Sequence, residues 1–120
     1  MRVLVIVKAT KESEVGIKPG DEKMLKEMGA FNEELVKAGI MLAGEGLKPS
    51  RYGKRVKFSG NSRTVTDGPF AETKEQLGGY HLVECSNLDE ALSIAMRIPT
   101  LRVGGTVEVR PLDAVLDATS

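Results

Sequence analysis

The chain has 120 residues, of which 41% are hydrophobic and 28% are charged, as expected for one soluble domain spanning residues 1–120. Its 17 basic and 17 acidic residues cancel, so the chain as a whole lacks the attraction to phosphate on which direct nucleic-acid binding depends. Cys85 is the only cysteine, which excludes an internal disulfide, and no segment has the ~20 apolar residues of a membrane span. We expect a cytoplasmic protein that contacts neither membrane nor nucleic acid directly.

The first part of the chain predicts a strand, a helix and a second strand. Residues 3–7 are apolar, β-branched and unbroken, which is typical of a central strand buried on both faces. Asp21 is the predicted N-cap of a helix that ends at Gly39, because apolar residues recur there every three or four positions. Residues 40–43 predict the second strand, which ends at Gly44-Glu45-Gly46.

An exposed β-hairpin is predicted between residues 47 and 66, where polar side chains dominate. Two short alternating segments, residues 55–58 and 63–66, flank Ser59-Gly60-Asn61-Ser62. Charged side chains give this hairpin a basic edge, formed by Arg51, Lys54, Arg55, Lys57 and Arg63. Such an edge is able to bind an anion, but charged edges also prevent unwanted strand pairing, and we favour that protective role.

The second half of the chain repeats the order strand, helix, strand. Residues 80–85 predict a strong strand with Tyr80 and Leu82 on one face and His81 on the other, beside Val83 and Cys85. Asn87 is the predicted N-cap of a helix that Pro99 closes. Residues 106–110 alternate polar and apolar side chains, as an edge strand does.

This element order predicts an α+β fold, a ferredoxin-like split βαβ antiparallel sheet with two helices on one face and an inserted β-hairpin. Residues 3–7 and 80–85 are expected to form the adjacent central pair. Both strands are apolar on both faces, yet two helices cover only one face of a sheet. A homodimer that pairs sheet against sheet is the simplest cover for the second face, and it creates an intersubunit cavity for a small-molecule ligand.

The run Asp67-Gly68-Pro69-Phe70 combines turn chemistry, a charge and an apolar anchor between two predicted strands. Gly68 is predicted to adopt a positive φ, and Pro69 fixes its own φ. Asp67 beside Phe70 is the leading candidate for an acid, a base or a ligand anchor. The alternative is that its carboxylate caps its own loop by accepting hydrogen bonds from the amides that follow.

Three further side chains complete the functional hypothesis. Glu45, set between two glycines, is either a pocket carboxylate or a solvated loop charge. The predicted ligand-binding set comprises Glu45, Arg63, Asp67 and Phe70. His81 and Asp67 are the catalytic candidates, although a buried or interface histidine held by one neighbour is favoured over a general base.

Other chemistry has little support in the sequence. Cys85 lies in an apolar strand without a cationic neighbour, which is more typical of a core residue than of a nucleophile. His81 and Cys85 are too few donors for a metal site. No phosphate-binding loop, nucleophile elbow or zinc-protease helix occurs, so we expect neither a metal nor a cofactor.

Short motifs spread over nearly the whole chain resemble those of a known family. They lie at residues 28–35, 38–39, 42–47, 67–72, 78–80, 89–91 and 107–111. With them the sequence resembles the YCII-related family, specifically the branch named for its Asp-Gly-Pro-Phe motif. The resemblance implies a dimeric ferredoxin-like α+β barrel, usually a bacterial single-domain protein of undetermined activity.

The resemblance implies two different functions. In YCII proteins a histidine in the first helix and a downstream aspartate suggest an enzyme, but this chain has no histidine there, near Met28, so that pair is not carried over and the enzymatic question stays open. The first hypothesis is therefore the binding, or transformation, of a small polar molecule in an intersubunit cleft. Relatives of this branch also occur fused to sigma-factor domains, which implies the alternative of a protein-interaction module accessory to sigma-factor-dependent transcription initiation.

Overall fold

A computed structural model describes residues 1–72, 75–99 and 105–113. Its elements are, in chain order, β1 (Arg2–Lys8), α1 (Lys11–Val15), α2 (Glu22–Lys37), β2 (Met41–Gly46), one 3-10 turn (Ser50–Tyr52), β3 (Lys54–Ser59), β4 (Ser62–Asp67), β5 (Leu77–Glu84), α3 (Leu88–Met96) and β6 (Val107–Pro111). All the predicted helices and strands are present, and α1 and the 3-10 turn are additional. No helix in the described ranges is long and apolar enough to cross a membrane.

Four strands form one antiparallel sheet in the order β2-β5-β1-β6. Strands β1 and β5 are the central pair, as predicted, with Leu4 opposite Leu82 and Ile6 opposite Tyr80. This order, with the long helix α2 between β1 and β2 and α3 between β5 and β6, confirms the ferredoxin-like arrangement. Strands β3 and β4 form a separate two-stranded sheet, which is the predicted hairpin.

The hydrophobic core lies between one face of the four-stranded sheet and the two long helices. Val3, Val5 and Val83 are fully buried on this face. They pack in one cluster with Phe31 and Leu35 of α2, and α3 joins the same cluster. Because side chains alternate along a strand, both helices must lie on the same face of the sheet, as predicted.

The N-termini of the two long helices differ. Asn87 caps α3 as predicted, since its side-chain oxygen accepts the Glu90 N–H at 2.9 Å. Asp21 precedes α2, but its carboxylate makes no capping bond and instead accepts the Lys18 N–H at 3.1 Å. The predicted capping role is wrong because Asp21 has helical backbone angles rather than the extended ones of a typical N-cap.

The second face of the sheet, here called the open face, lies opposite the two long helices. One row across it runs Ala43, Leu82, Leu4 and Arg110, and the next runs Glu45, Tyr80, Ile6 and Glu108. Ile6 is buried, and Leu4, Tyr80 and Leu82 are half-buried. The open face is therefore apolar along the central strands and charged at three of the four row ends.

Candidate functional site

The Asp-Gly-Pro-Phe loop fastens the hairpin to the rest of the domain. The Gly68 N–H donates to the Gly53 carbonyl at 3.0 Å, and the Phe70 N–H donates to the Ser50 hydroxyl at 3.1 Å. Ser50 is buried, its N–H donates to the Glu14 carboxylate at 2.9 Å, and its hydroxyl donates to the same carboxylate. The loop thus ties α1, the 3-10 turn and the base of the hairpin to one another.

Phe70 is held from several sides in this junction. The Arg55 guanidinium lies 4.1 Å from the centre of the Phe70 ring and 3.1 Å from the Glu72 carboxylate. A hydrogen bond from its own backbone, followed by the Arg55 side chain, lowers the pKa of the Glu72 carboxyl. The Gln76 side-chain amide donates to the Phe70 carbonyl at 3.0 Å. Phe70 is therefore an anchor of the loop as well as a predicted ligand contact.

Gly68 occupies its position for a different reason from the predicted one. Its φ is not positive, so that expectation is wrong. A Cβ at this position would instead overlap the backbone carbonyl of Ser50. The loop passes so close to the 3-10 turn that a side chain has no room.

Asp67 lies at the end of β4 with its side chain 74% exposed. Its carboxylate accepts a hydrogen bond from Lys54 Nζ at 2.5 Å, across the base of the hairpin. Among the described residues this lysine, rather than an amide of the following loop, is its partner. The carboxylate therefore links the two hairpin strands.

Arg63 lies near the hairpin tip and packs on Phe58, with its guanidinium carbon 4.8 Å from the ring centre. Arg63 and Asp67 share one face of β4, but four residues of extended strand separate them by about 13 Å. Both hairpin strands are exposed along their whole length. One copy of the chain therefore does not bring Arg63 and Asp67 together.

Glu45 and His81 lie on opposite faces of the four-stranded sheet. Glu45 is opposite Tyr80 on the open face, is exposed, and has no ion-pair partner among the described residues. His81 is opposite Val5 and Gly44, on the face covered by the helices. No single cavity of one copy therefore receives both side chains.

The sole histidine is enclosed by the core. His81 is 5% exposed, and its Nε2 lies 2.7 Å from Asn32 Oδ1. Because an amide oxygen only accepts, this contact assigns the proton to Nε2, and the buried Nδ1 has no hydrogen-bond partner in the described part of the chain. Phe31 packs edge-on with its ring centre 6.1 Å away. Burial lowers the pKa of His81, which keeps the imidazole neutral.

Cys85 and the acidic side chains offer little further chemistry. Cys85 is buried, and burial, followed by the nearby Glu90 carboxylate, raises the pKa of its thiol. Its nucleophilic thiolate form is thereby disfavoured. Within residues 1–72, 75–99 and 105–113, no group of three or more histidine, cysteine or acidic side chains is placed to hold a metal ion.

A shallow groove between α2 and α3 has a volume of about 210 Å³ and an apolar floor that includes Leu35, Ile40 and Ile94. Arg97 and Glu34 form a two-point ion pair at its rim, with N···O distances of 3.3 and 3.4 Å. The other polar side chains of its lining, Glu90 and Ser93, also form hydrogen bonds, with the Ser86 N–H and the Asp89 carbonyl. The sequence did not predict this groove, because its lining comes from two helices far apart in the chain.

Comparison of the sequence with known proteins identifies a matching family and a relative. The YCII-related domain matches residues 1–114 of the chain. An uncharacterized protein of Rhizobium meliloti (strain 1021) is 38% identical over 96 residues, which cover 79% of this chain and 77% of that relative. Assignment to the Asp-Gly-Pro-Phe branch stays a prediction from the motifs.

Gly68→Ala is expected to lower the free energy of unfolding by about 1–3 kcal/mol, because the new Cβ must displace the Ser50 backbone. Gly29→Ala is the matched control: it lies in α2 with open space around the new atom. That change should raise stability by about 0.5–1 kcal/mol through helix propensity. Urea unfolding of both variants measures the difference. A Gly68→Ala protein as stable as the parent would show that the close approach is not restrictive.

The neutral, buried His81 should make stability depend on pH. The folded protein holds the imidazole proton more weakly than the unfolded chain, whose pKa is about 6.5. Stability is therefore expected to fall as the pH decreases below that value and to recover as it increases. Urea unfolding between pH 5 and 8 should show this slope in the parent and a flatter one in His81→Gln. Identical slopes would contradict the assignment, since the chain has no other histidine.

Proposed function

The chain belongs to the YCII-related family, and we propose that two copies of it pair their open faces and hold a small polar molecule in the cleft between them. The observation that carries this proposal is the open face itself. It combines an apolar centre with the Glu45 carboxylate at its edge, which has no ion-pair partner among the described residues. The proposal covers binding, and catalysis is not required by any side chain of the face.

The apolar centre of the open face supports the pairing of two copies. Leu4 and Leu82 lie side by side in register, as do Ile6 and Tyr80. Removing apolar surface from water contributes about 25 cal/mol per Å², so burial of this face against a second copy is more favourable than its exposure to water. A second copy presents the same face, and a two-fold axis matches each row to its equivalent.

The edge of the open face supports a polar ligand. Glu45 stands at one end of the row that contains Tyr80 and Ile6. At the other end Glu108 lies 4.0 Å from the Lys8 ammonium, whereas the Glu45 carboxylate has no described ion-pair partner. A carboxylate enclosed between two subunits needs a hydrogen-bond donor or a cation in place of water. The ligand proposed here supplies that group.

Leu82→Glu should convert the dimer into monomers, because each copy would bring a charge to the centre of the paired faces. Leu92→Glu is the control, since Leu92 is already exposed on the outer side of α3. Sedimentation velocity at micromolar concentration measures both variants and the parent. A monomeric parent, or a dimeric and folded Leu82→Glu protein, would contradict the pairing of open faces.

Glu45→Gln should remove ligand binding while leaving the dimer intact. A thermal-shift screen with a panel of small cationic, neutral and anionic polar compounds identifies a stabilising probe, because a ligand raises the melting temperature of the state that it binds. The shift should disappear in Glu45→Gln and persist in Glu33→Gln, whose carboxylate is exposed on α2 and pairs with Lys37. A shift that is equal in all three proteins would remove Glu45 from the site.

The outer side of α3 favours a second candidate function. Leu88, Leu92 and Met96 recur every four residues and are all exposed. An apolar stripe left on the surface of a helix is a common docking site for another protein. It supports a protein-interaction module, for which the family resemblance implies a partner in sigma-factor-dependent transcription initiation. Co-sedimentation with purified bacterial RNA polymerase holoenzyme, lost in Leu92→Glu, is the result expected for that function.

A further inference from the structure

We infer that the β3–β4 hairpin, residues 54–67 and here called the arm, clasps the second copy of the dimer. One face of the arm packs its apolar side chains against that copy. The basic side chains of the arm and its base meet the acidic surface of the same copy. The inference rests on the proposed dimer and adds a part of the interface that the open face does not contain.

The arm has one apolar face without a cover. Residues directly opposite each other in a hairpin share a face, and Val56 is opposite Val65 while Phe58 is opposite Arg63. The side chains of Val56, Val65 and Phe58 are 49%, 62% and 65% exposed. The other face pairs Arg55 with Thr66 and carries only polar residues along its length. The arm is thus amphipathic, as a strand pair is when one side is meant to be buried.

Within one copy the arm lies apart from the main sheet. Among the described strands, β3 and β4 pair with each other and with no other strand. The radius of gyration, 15.9 Å, exceeds the value of about 14 Å expected for a compact domain of this length. A lone two-stranded hairpin is marginally stable in water. Burial of its apolar face against a partner would add to its stability.

Charge complementarity identifies a second copy as the occupant. Residues 48–67 contain six basic side chains and one acidic side chain, a net charge of +5, so the rest of the chain carries −5. The chain is neutral as a whole, but residues 48–67, which include the arm, are basic. The remaining residues, here called the body, are acidic. Two copies related by a two-fold axis place each arm near the oppositely charged body of the other, which favours association and fixes its orientation.

The exposed apolar face of the arm, rather than its basic side chains, favours a protein over a nucleic acid as the partner. Lys54 is paired with Asp67, Arg55 with Glu72, and Arg63 lies over the Phe58 ring. Phosphates and the carboxylates of a protein partner would both have to compete with these contacts, so the contacts do not separate the two. Nucleic-acid binding through the basic side chains would, however, leave the apolar face of the arm in water. A second copy of the chain satisfies both features of the arm.

The areas involved are also consistent with a clasp. Four strands about 4.8 Å apart and some 20 Å long give the open face an area of roughly 400 Å². A stable interface buries about 800 Å² on each partner. Each arm covers roughly 200 Å², and in a two-fold dimer every copy both donates an arm and receives one. The arms would therefore supply about the area that the open face lacks.

The Asp-Gly-Pro-Phe loop then sets the direction of the arm. Ser50, Glu14 and the Phe70 backbone form a hydrogen-bonded junction below it, and Gly68 allows the close approach. Because this junction holds the base of the arm rigidly, less conformational entropy is lost when the arm docks. This gives the motif a role in assembly, with no requirement for catalysis by Asp67.

The test is the dimer dissociation constant of a double variant, Val56→Thr with Phe58→Thr, which keeps β-propensity while removing the apolar face. We expect the dissociation constant to rise about tenfold or more. Thr64→Val, on the polar face of the arm, is the control and should leave it unchanged. The parent dimer should also weaken as salt is raised, because the opposite charges of arm and body are screened.

The outcomes separate this inference from the proposed function. If the double variant dimerises as tightly as the parent while Leu82→Glu is monomeric, the clasp is wrong and the pairing of open faces stands. If the parent is monomeric, both fail. If the double variant instead loses affinity for a single-stranded oligonucleotide with no change in dimerisation, the arm binds nucleic acid and the clasp is overturned.

A photo-reactive side chain at Val65 tests the clasp without disturbing the fold. Irradiation of the otherwise native protein should give covalent dimers at low concentration. The same group at Glu27, on an exposed position of α2, should give none. Equal cross-linking from both positions, or none from Val65, would overturn the inference even if the double variant unfolds.

Discussion

Two helices can bury only one face of a four-stranded sheet, and the central strands of this chain are apolar on both. Val3, Val5 and Val83 are buried beneath the helices, while Leu4 and Leu82 lie on the open face. The residues that make β1 and β5 the stable centre of the fold thus also create a second apolar surface, which the two long helices of the described chain do not cover. Folding and the proposed pairing of two copies therefore share one cause, the apolar content of the two central strands.

The contacts of the Asp-Gly-Pro-Phe motif with Ser50 fix the position of the hairpin relative to the rest of the domain. Gly68 avoids a collision with Ser50, and the Phe70 amide binds the Ser50 hydroxyl. Each contact joins segments that are distant in sequence. A loop built this way holds its arm in one direction. In the proposed clasp this rigidity reduces the conformational entropy that is lost when the arm docks on a second copy.

The sequence predicts the fold well because its signals are local. Alternation in residues 80–85 places Tyr80 and His81 on opposite faces, and the structure shows the same. The junction beneath the arm was not predictable, because Glu14 and Ser50 are 36 residues apart and neither carries a recognisable motif. The predicted set of Glu45, Arg63, Asp67 and Phe70 was drawn from loop chemistry. Its members lie on two separate sheets and on the loop that follows the arm.

The Nδ1 atom of His81 and the Glu45 carboxylate both lack a partner among the described residues, but one is buried and the other is exposed. The Nδ1 atom of His81 is already buried. The imidazole stays neutral there, because burial of its charged form would be unfavourable. The Glu45 carboxylate is exposed in one copy and remains hydrated at no cost. It acquires a need for a partner only when a second copy covers the open face. In the proposed dimer, ligand binding at Glu45 therefore depends on both copies, and a ligand that supplies the missing donor would stabilise the dimer together with the site.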